Sequence, residues 1–212
     1  DIAIFQPDPD IIWVGTGEAW TRNSVSIGNG IYRTTDGGDT WQHLGLDGSE
    51  RISDIRIDPR ASDTVYACVT GRLWSDSLER GVYRTRDGGK TWQEFSGLRG
   101  HGTGPKWSPG AGGMGLHTIV QDPKNPKRMY VAISAAGNFR TDDGGQTWKA
   151  INKGLKSPYL PEMAPEVGFC VHRIALHPSN PDVLYMQLHQ GGGVYRSDNA
   201  GEVALAVDHH GD

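Results

Sequence analysis

Short runs of β-branched and aromatic residues alternate along the whole chain with turns rich in glycine, aspartate and proline. Four runs share one form: Gly30-Ile31-Tyr32-Arg33, Gly81-Val82-Tyr83-Arg84, Gly137-Asn138-Phe139-Arg140 and Gly193-Val194-Tyr195-Arg196. Each leads into one turn. Thr34-Thr35-Asp36-Gly37-Gly38-Asp39-Thr40-Trp41 returns as Thr85-Arg86-Asp87-Gly88-Gly89-Lys90-Thr91-Trp92 and as Thr141-Asp142-Asp143-Gly144-Gly145-Gln146-Thr147-Trp148. A worn fourth copy is Ser197-Asp198-Asn199-Ala200-Gly201-Glu202, with Val203 and Ala204 where Thr and Trp are expected. A fixed period slightly above about 50 residues predicts stacked repeats rather than one irregular core.

A second element precedes each turn. Ile55-Arg56-Ile57-Asp58-Pro59 is followed by Thr64-Val65-Tyr66-Ala67-Cys68-Val69, and Ile119-Val120-Gln121-Asp122-Pro123 by Met129-Tyr130-Val131-Ala132-Ile133. Ile174-Ala175-Leu176-His177-Pro178 precedes Val183-Leu184-Tyr185-Met186, and Ile2-Ala3-Ile4-Phe5-Gln6-Pro7 precedes Ile11-Ile12-Trp13-Val14. Proline cannot donate to a strand ladder, so it ends the first strand of each pair. The aspartate turn joins a third strand to a fourth: its carboxylate accepts hydrogen bonds from the turn's own amides and glycine supplies positive φ. The repeats therefore read as all-β, four-stranded antiparallel blades. They span approximately residues 1–45, 46–96, 97–152 and 153–212 of a single domain.

The turn is the Asp-box signature, Ser/Thr-x-Asp-x-Gly-x-Thr-Trp, and the chain resembles the Asp-box (BNR) repeat family of sialidases, xyloglucanases, sortilin-type receptors and photosystem assembly factors. The resemblance implies a β-propeller of about four blades in this chain. It also implies a structural role for Asp36, Trp41, Asp87, Trp92, Asp143, Trp148 and Asn199, remote from any active site. Related propellers usually have six or more blades, so a fragment or mosaic of a larger propeller is expected. Gly15-Thr16-Gly17-Glu18 and Glu79-Arg80-Gly81-Val82-Tyr83 in the first half look like bacterial sortilin-type, glycosyl hydrolase-like propellers. Gly115-Leu116-His117-Thr118-Ile119 in the second half looks like a different, uncharacterised Asp-box group. A sialidase is disfavoured, because none of the available arginines stands in an Arg-Ile-Pro context.

Composition narrows the field. Thirty glycines and 12 prolines in 212 residues suit a turn-rich β fold. A net charge of −4 with no basic stripe argues against nucleic acid, and no apolar run reaches membrane-spanning length. Cys68 and Cys170, on strands of different repeats, read as two buried free thiols. No cofactor motif stands in the chain. The family resemblance favours an extracytoplasmic setting.

Candidate chemistry collects in loops away from the Asp boxes, as rigid scaffolds favour. Trp20, Trp74, Trp107 and Tyr159 can stack on sugar rings or simply pack loops together. Arg22, Arg80 and His101 stand in the same loops. Glu18 with Glu162 or Glu166 is a candidate acid/base pair, chemistry that needs two carboxyls about 5–10 Å apart. His117 and His172 occupy matching positions at the start of the innermost strands, where Ser53 stands in the second repeat. As neighbours they can be a metal pair or do general acid/base work near neutral pH, or they can simply bond adjacent backbone. A zinc site would want a third or fourth ligand, which no Cys/His spacing supplies, so no metal is expected. Two functional classes remain: a glycoside hydrolase-like propeller that binds or hydrolyses carbohydrate, and a non-catalytic scaffold for a protein partner, sortilin-like or assembly-factor-like. An inactive fragment or chimera is a third reading.

Overall fold

The computed structural model describes residues 1–20, 25–107, 115–189 and 193–207. They form four separate four-stranded sheets, each antiparallel with its strands in sequence order. The first holds β1 (Ile2–Ile4), β2 (Ile12–Gly15), β3 (Ile31–Thr34) and β4 (Gln42–His43). The second holds β5 (Ile52–Asp58), β6 (Ala61–Val69), β7 (Gly81–Thr85) and β8 (Gln93–Glu94). The third holds β9 (Leu116–Gln121), β10 (Met129–Ile133), β11 (Gly137–Thr141) and β12 (Lys149–Ala150). The fourth holds β13 (Val171–His177), β14 (Asn180–Leu188), β15 (Gly193–Ser197) and β16 (Leu205–Ala206). These are the blades of an all-β propeller fold. Among the described residues the one α-helix is the single turn Ser96–Arg99, and no helix is long and apolar enough to cross a membrane.

The chain divides into two compact units, Asp1–Arg99 and Gly100–Asp212, each holding two sheets. In the first, Trp13, Ile31, Ile52, Ile55, Val65, Ala67 and Val69 form the core. In the second, Tyr130, Phe169, Val171, Ile174, Leu184 and Met186 do so. Both cores are built from middle-strand residues of one sheet packed on first- and second-strand residues of the next.

The Asp boxes explain how the last two strands of each sheet are joined. In the second box the Thr85 hydroxyl donates to Asp87 Oδ1 (2.8 Å) and accepts the Gly89 N–H (2.9 Å). Asp87 then accepts the Thr91 N–H at 3.0 Å and the Thr91 hydroxyl at 2.6 Å. Thr34, Asp36 and Thr40 repeat this pattern, as do Thr141, Asp143 and Thr147. In the fourth box Ser197 and Asn199 keep it, the amide oxygen accepting the Ser197 hydroxyl and the Val203 N–H. Each box also donates one amide to the turn joining the first two strands: Gly37 to Asp10, Gly88 to Asp63, Gly144 to Lys127 and Ala200 to Asp182. Both turn types therefore share one end of every sheet, which leaves the long loops at the other end.

The knot sets up packing between sheets. Trp92 lies edge-on to Trp13 of the first sheet, 6.2 Å between ring centres, and its Nε1 donates to the Leu44 carbonyl at 2.7 Å. Gly89, at φ 91°, has no room for a Cβ, which would meet Leu44 at 2.8 Å. Two of the arginines that precede the boxes serve the same packing. Arg33 covers the Trp13 ring and pairs with Asp63 of the next sheet at 3.0 Å. Arg140 reaches the Ala200 carbonyl and Glu202 of the fourth box.

The box carboxylates are held in the ionised form. The hydroxyls of Thr34 and Thr40 keep Asp36 well below the usual carboxylate range. The Thr91 hydroxyl and N–H bring Asp87 down to about 2. At Asp143 burial opposes ionisation, but the Thr147 and Thr141 bonds outweigh it and the carboxyl again titrates low. Because these groups bind protons less readily when folded, their stabilisation is complete above the unfolded value of about 3.9 and is lost as pH falls toward the folded value.

Two outcomes follow. Thr85→Val leaves the buried Gly89 N–H without its acceptor and should lower unfolding free energy by about 1–3 kcal/mol in urea denaturation. Asp87→Asn should be less stable than the parent at neutral pH, and the gap should narrow as urea midpoints are followed down to about pH 2.

Candidate functional site

At the end of the sheets opposite the Asp boxes, the first unit presents two matching loops, one between β2 and β3 and one between β6 and β7. Trp20 on the first is 76% exposed and Trp74 on the second is 68% exposed. Both loops are tied to Glu50, a non-glycine residue at φ 51°. Its carbonyl accepts the Gly28 N–H at 2.8 Å and stands where Gly17 would carry a Cβ. Its carboxylate pairs with Arg51 at 2.8 Å and Arg72 at 3.4 Å. Arg80 braces the second loop from within, donating to the carbonyls of Thr70, Arg72 and Ser75, and burial lowers its proton affinity. Glu18 is turned onto its own loop, accepting the Ser26 N–H at 2.8 Å. Arg22 lies outside the described residues.

In the second unit Trp107 and His101 are packed together against Phe139. Ring centres lie 6.3 Å apart for His101–Trp107 and 5.2 Å for Trp107–Phe139. Trp107 Nε1 donates to Thr103 Oγ1 at 2.9 Å, and His101 Nε2 reaches the Trp148 carbonyl at 3.1 Å. That carbonyl can only accept, which fixes the proton on Nε2. Tyr159 is 67% exposed on the loop between β12 and β13. Glu162 and Glu166 are exposed on the same loop, Glu166 facing Lys106 at 3.4 Å. Glu18 thus belongs to the first unit, and Glu162 and Glu166 to the second.

His117 and His172 stand with ring centres 4.5 Å apart, and a third imidazole, His189, lies 4.6 Å from His172. Register explains their placement. Ile133 pairs with Leu116 and Ala132 with Thr118, so His117 is the extra residue of a β-bulge. Val171 pairs with Leu188 and Arg173 with Gln187, which puts His172 in the same bulge. Ser53 occupies it in the second sheet, between Ile52 and Asp54. A bulge re-aims a side chain that a regular ladder would point along the sheet face. His117 Nε2 meets Ser134 Oγ at 2.6 Å, and that hydroxyl meets Cys170 Sγ at 3.4 Å. Cys170 Sγ lies 3.3 Å from His172 Nε2 and 3.9 Å from His189 Nδ1. Burial, then the neighbouring His172 and His189, brings His117 down to about 4, and burial lowers His172. Both imidazoles are therefore neutral near pH 7.

Two expectations need correction. Cys68 is a buried free thiol, but Cys170 is only half-buried and touches Ser134 and His172. The further ligands absent from linear spacing exist in space: Cys170, His172 and His189 hold their ligand atoms within 4.8 Å of one another. Linear spacing hid them because His189 follows β14, which folds back along β13. Superposing repeats would have found them. The amides of Thr70, Ser134 and His189 donate to the carbonyls of Arg51, Gly115 and Cys170, so these are equivalent positions.

Four-stranded antiparallel sheets closed by Asp boxes define an Asp-box β-propeller chain. The BNR/Asp-box repeat family model matches residues 83–94 and 139–150, so the chain carries BNR repeats. A xyloglucanase from Paenibacillus sp is 27% identical over 176 residues, which cover 73% of this chain and 16% of the relative. The crystal structure of an ancestral GH74 enzyme superposes on all of this chain and 24% of its own, with a TM-score of 0.64 and 16% identity. The GH74 enzyme of Niastella koreensis covers 96% of this chain and 29% of its own, with a TM-score of 0.60 and 19% identity. The fold is therefore glycoside hydrolase-like, and the chain spans about a sixth of the length of the Paenibacillus relative.

The packing separates the aromatic residues by role. Trp107→Ala should lower unfolding free energy by about 1–3 kcal/mol, whereas Trp20→Ala should stay within about 0.5 kcal/mol of the parent in the same denaturation assay.

Proposed function

We propose that this chain is a carbohydrate-binding part of a glycoside hydrolase-like propeller, with a xyloglucan-type polysaccharide as ligand. The observation that carries this is the pair of exposed indoles, Trp20 and Trp74, on matching loops of two successive sheets. An exposed indole offers a flat apolar face to the C–H face of a pyranose, and its neighbours satisfy hydroxyl groups. At the base of the same loops Arg72 is exposed and Glu50 partly so, while Arg51 is buried beneath them. Fixing both loops through Glu50 holds these side chains in place before ligand arrives, which lowers the ordering cost of binding. Tyr159 offers a similar face in the second unit. The similarity to a Paenibacillus xyloglucanase supports the choice of polysaccharide.

The first sheet leaves Ile2, Ile4 and Trp41 exposed, Trp41 by 45%. Trp92, its counterpart in the second box, is covered by the preceding sheet through Trp13 and Leu44. A further blade placed before the first would cover Trp41 in the same manner, in keeping with the four blades being part of a larger propeller. Glu18 in the first unit and Glu162 and Glu166 in the second are the carboxylates put forward for hydrolysis, each to be tested singly.

Calorimetric titration with xyloglucan oligosaccharides tests the binding. Trp20→Ala and Trp74→Ala should each weaken it by about tenfold, the loss of one stacked ring. Absence of binding, or binding that both substitutions leave intact, would refute the carbohydrate reading. Reducing-sugar release that survives Glu18→Gln, Glu162→Gln and Glu166→Gln alike would remove the carboxylates from the chemistry.

A further inference from the structure

We propose that Cys170, His172 and His189 form a zinc site, with three protein ligands and a fourth position open to an exogenous ligand. Tetrahedral zinc with Zn–S near 2.3 Å and Zn–N near 2.0–2.1 Å places sulfur and nitrogen about 3.6 Å apart. The distances from Cys170 Sγ to His172 Nε2 and His189 Nδ1, 3.3 and 3.9 Å, bracket that edge. A thiolate with two imidazoles is a borderline-soft donor set, suited to zinc rather than to calcium or magnesium.

The three ligands come from three fixed places in the blade. Cys170 precedes the first strand, held by the buried Phe169, which bridges to Ala136. His172 occupies the bulge, and His189 follows the second strand, its N–H bonded to the Cys170 carbonyl at 2.9 Å. Strand pairing therefore brings all three together without any loop having to close. The third sheet supplies outer partners. Ser134 can donate to the Cys170 sulfur, and His117 Nε2 to the Ser134 oxygen. Such partners orient a ligand and commonly change metal affinity by 10–100-fold, about the expected effect of Ser134→Ala. In the second sheet the equivalent positions are Arg51, Ser53 and Thr70, which cannot form such a site.

Binding is read with Co(II) as a spectroscopic substitute, followed by competition with Zn(II), on the full chain. Thiolate coordination gives a near-ultraviolet charge-transfer band, and tetrahedral geometry gives intense visible d–d bands. Cys170→Ser should abolish the charge-transfer band. His189→Gln, at an exposed position, should weaken Zn(II) binding at least about tenfold with the circular dichroism spectrum unchanged. Cys68 is fully buried, so any thiolate signal reports Cys170. A parent protein without the charge-transfer band, or bands and affinity that survive either substitution unchanged, would overturn the assignment. None of these readouts depends on carbohydrate, so the metal site stands or falls apart from the polysaccharide reading.

Discussion

The small hydroxyl of Thr85, with its counterparts Thr34, Thr141 and Ser197, is the contact on which the architecture depends. It donates to the carboxylate or amide two residues on and accepts a glycine amide that would otherwise be buried without a partner. A buried donor left unpaired costs more than its bond contributes when made, so the hydroxyl commits the hairpin to one geometry. That geometry turns Trp92 onto Trp13 and Leu44, and the sheet-to-sheet core follows. The carboxylate of the box works at its own turn and stays ionised there.

The architecture was open to reading because its determinants are local. A hydroxyl, an acid and two glycines in eight residues specify a turn, and the turn's recurrence specifies stacking. The worn fourth copy was legible too, since Ser197 and Asn199 retain the acceptors that matter while Val203 contributes only its N–H. The candidate site was legible only in part. The equivalence of His117 and His172 showed in the repeats, but the bulge that turns both side chains out of the ladder is a matter of register. His189 and Ser134 carried no signal in a linear reading, because each depends on which residue faces it after the second strand returns. Glu50 was missed for a similar reason: its importance lies in a strained backbone and a carbonyl, which side-chain patterns do not report. For Trp107, a sugar platform and a packed loop anchor look alike in sequence. The Phe139, His101 and Thr103 contacts show the packing.

The two ends of each sheet carry different kinds of constraint. At the Asp-box end, the threonine hydroxyls and the aspartate carboxylates are engaged within the turn, and substitutions there act on stability. At the loop end, rigid anchors such as Glu50 and Arg80 support side chains that are themselves free to face solvent, as Trp20 and Trp74 do. This division lets surface residues vary without disturbing the contacts that keep the blades together.

The bulge at the head of the first strand has a wider consequence. Its occupant, Ser53, His117 or His172, contributes nothing to the ladder that another residue would not, so the slot can exchange serine for imidazole while the sheet stays as it is. A repeating scaffold with such a slot in successive units is a row of sockets. Chemistry can be installed in one of them and left out of the next, and new reactivity can arise by changing two or three side chains on a backbone that already holds them in range.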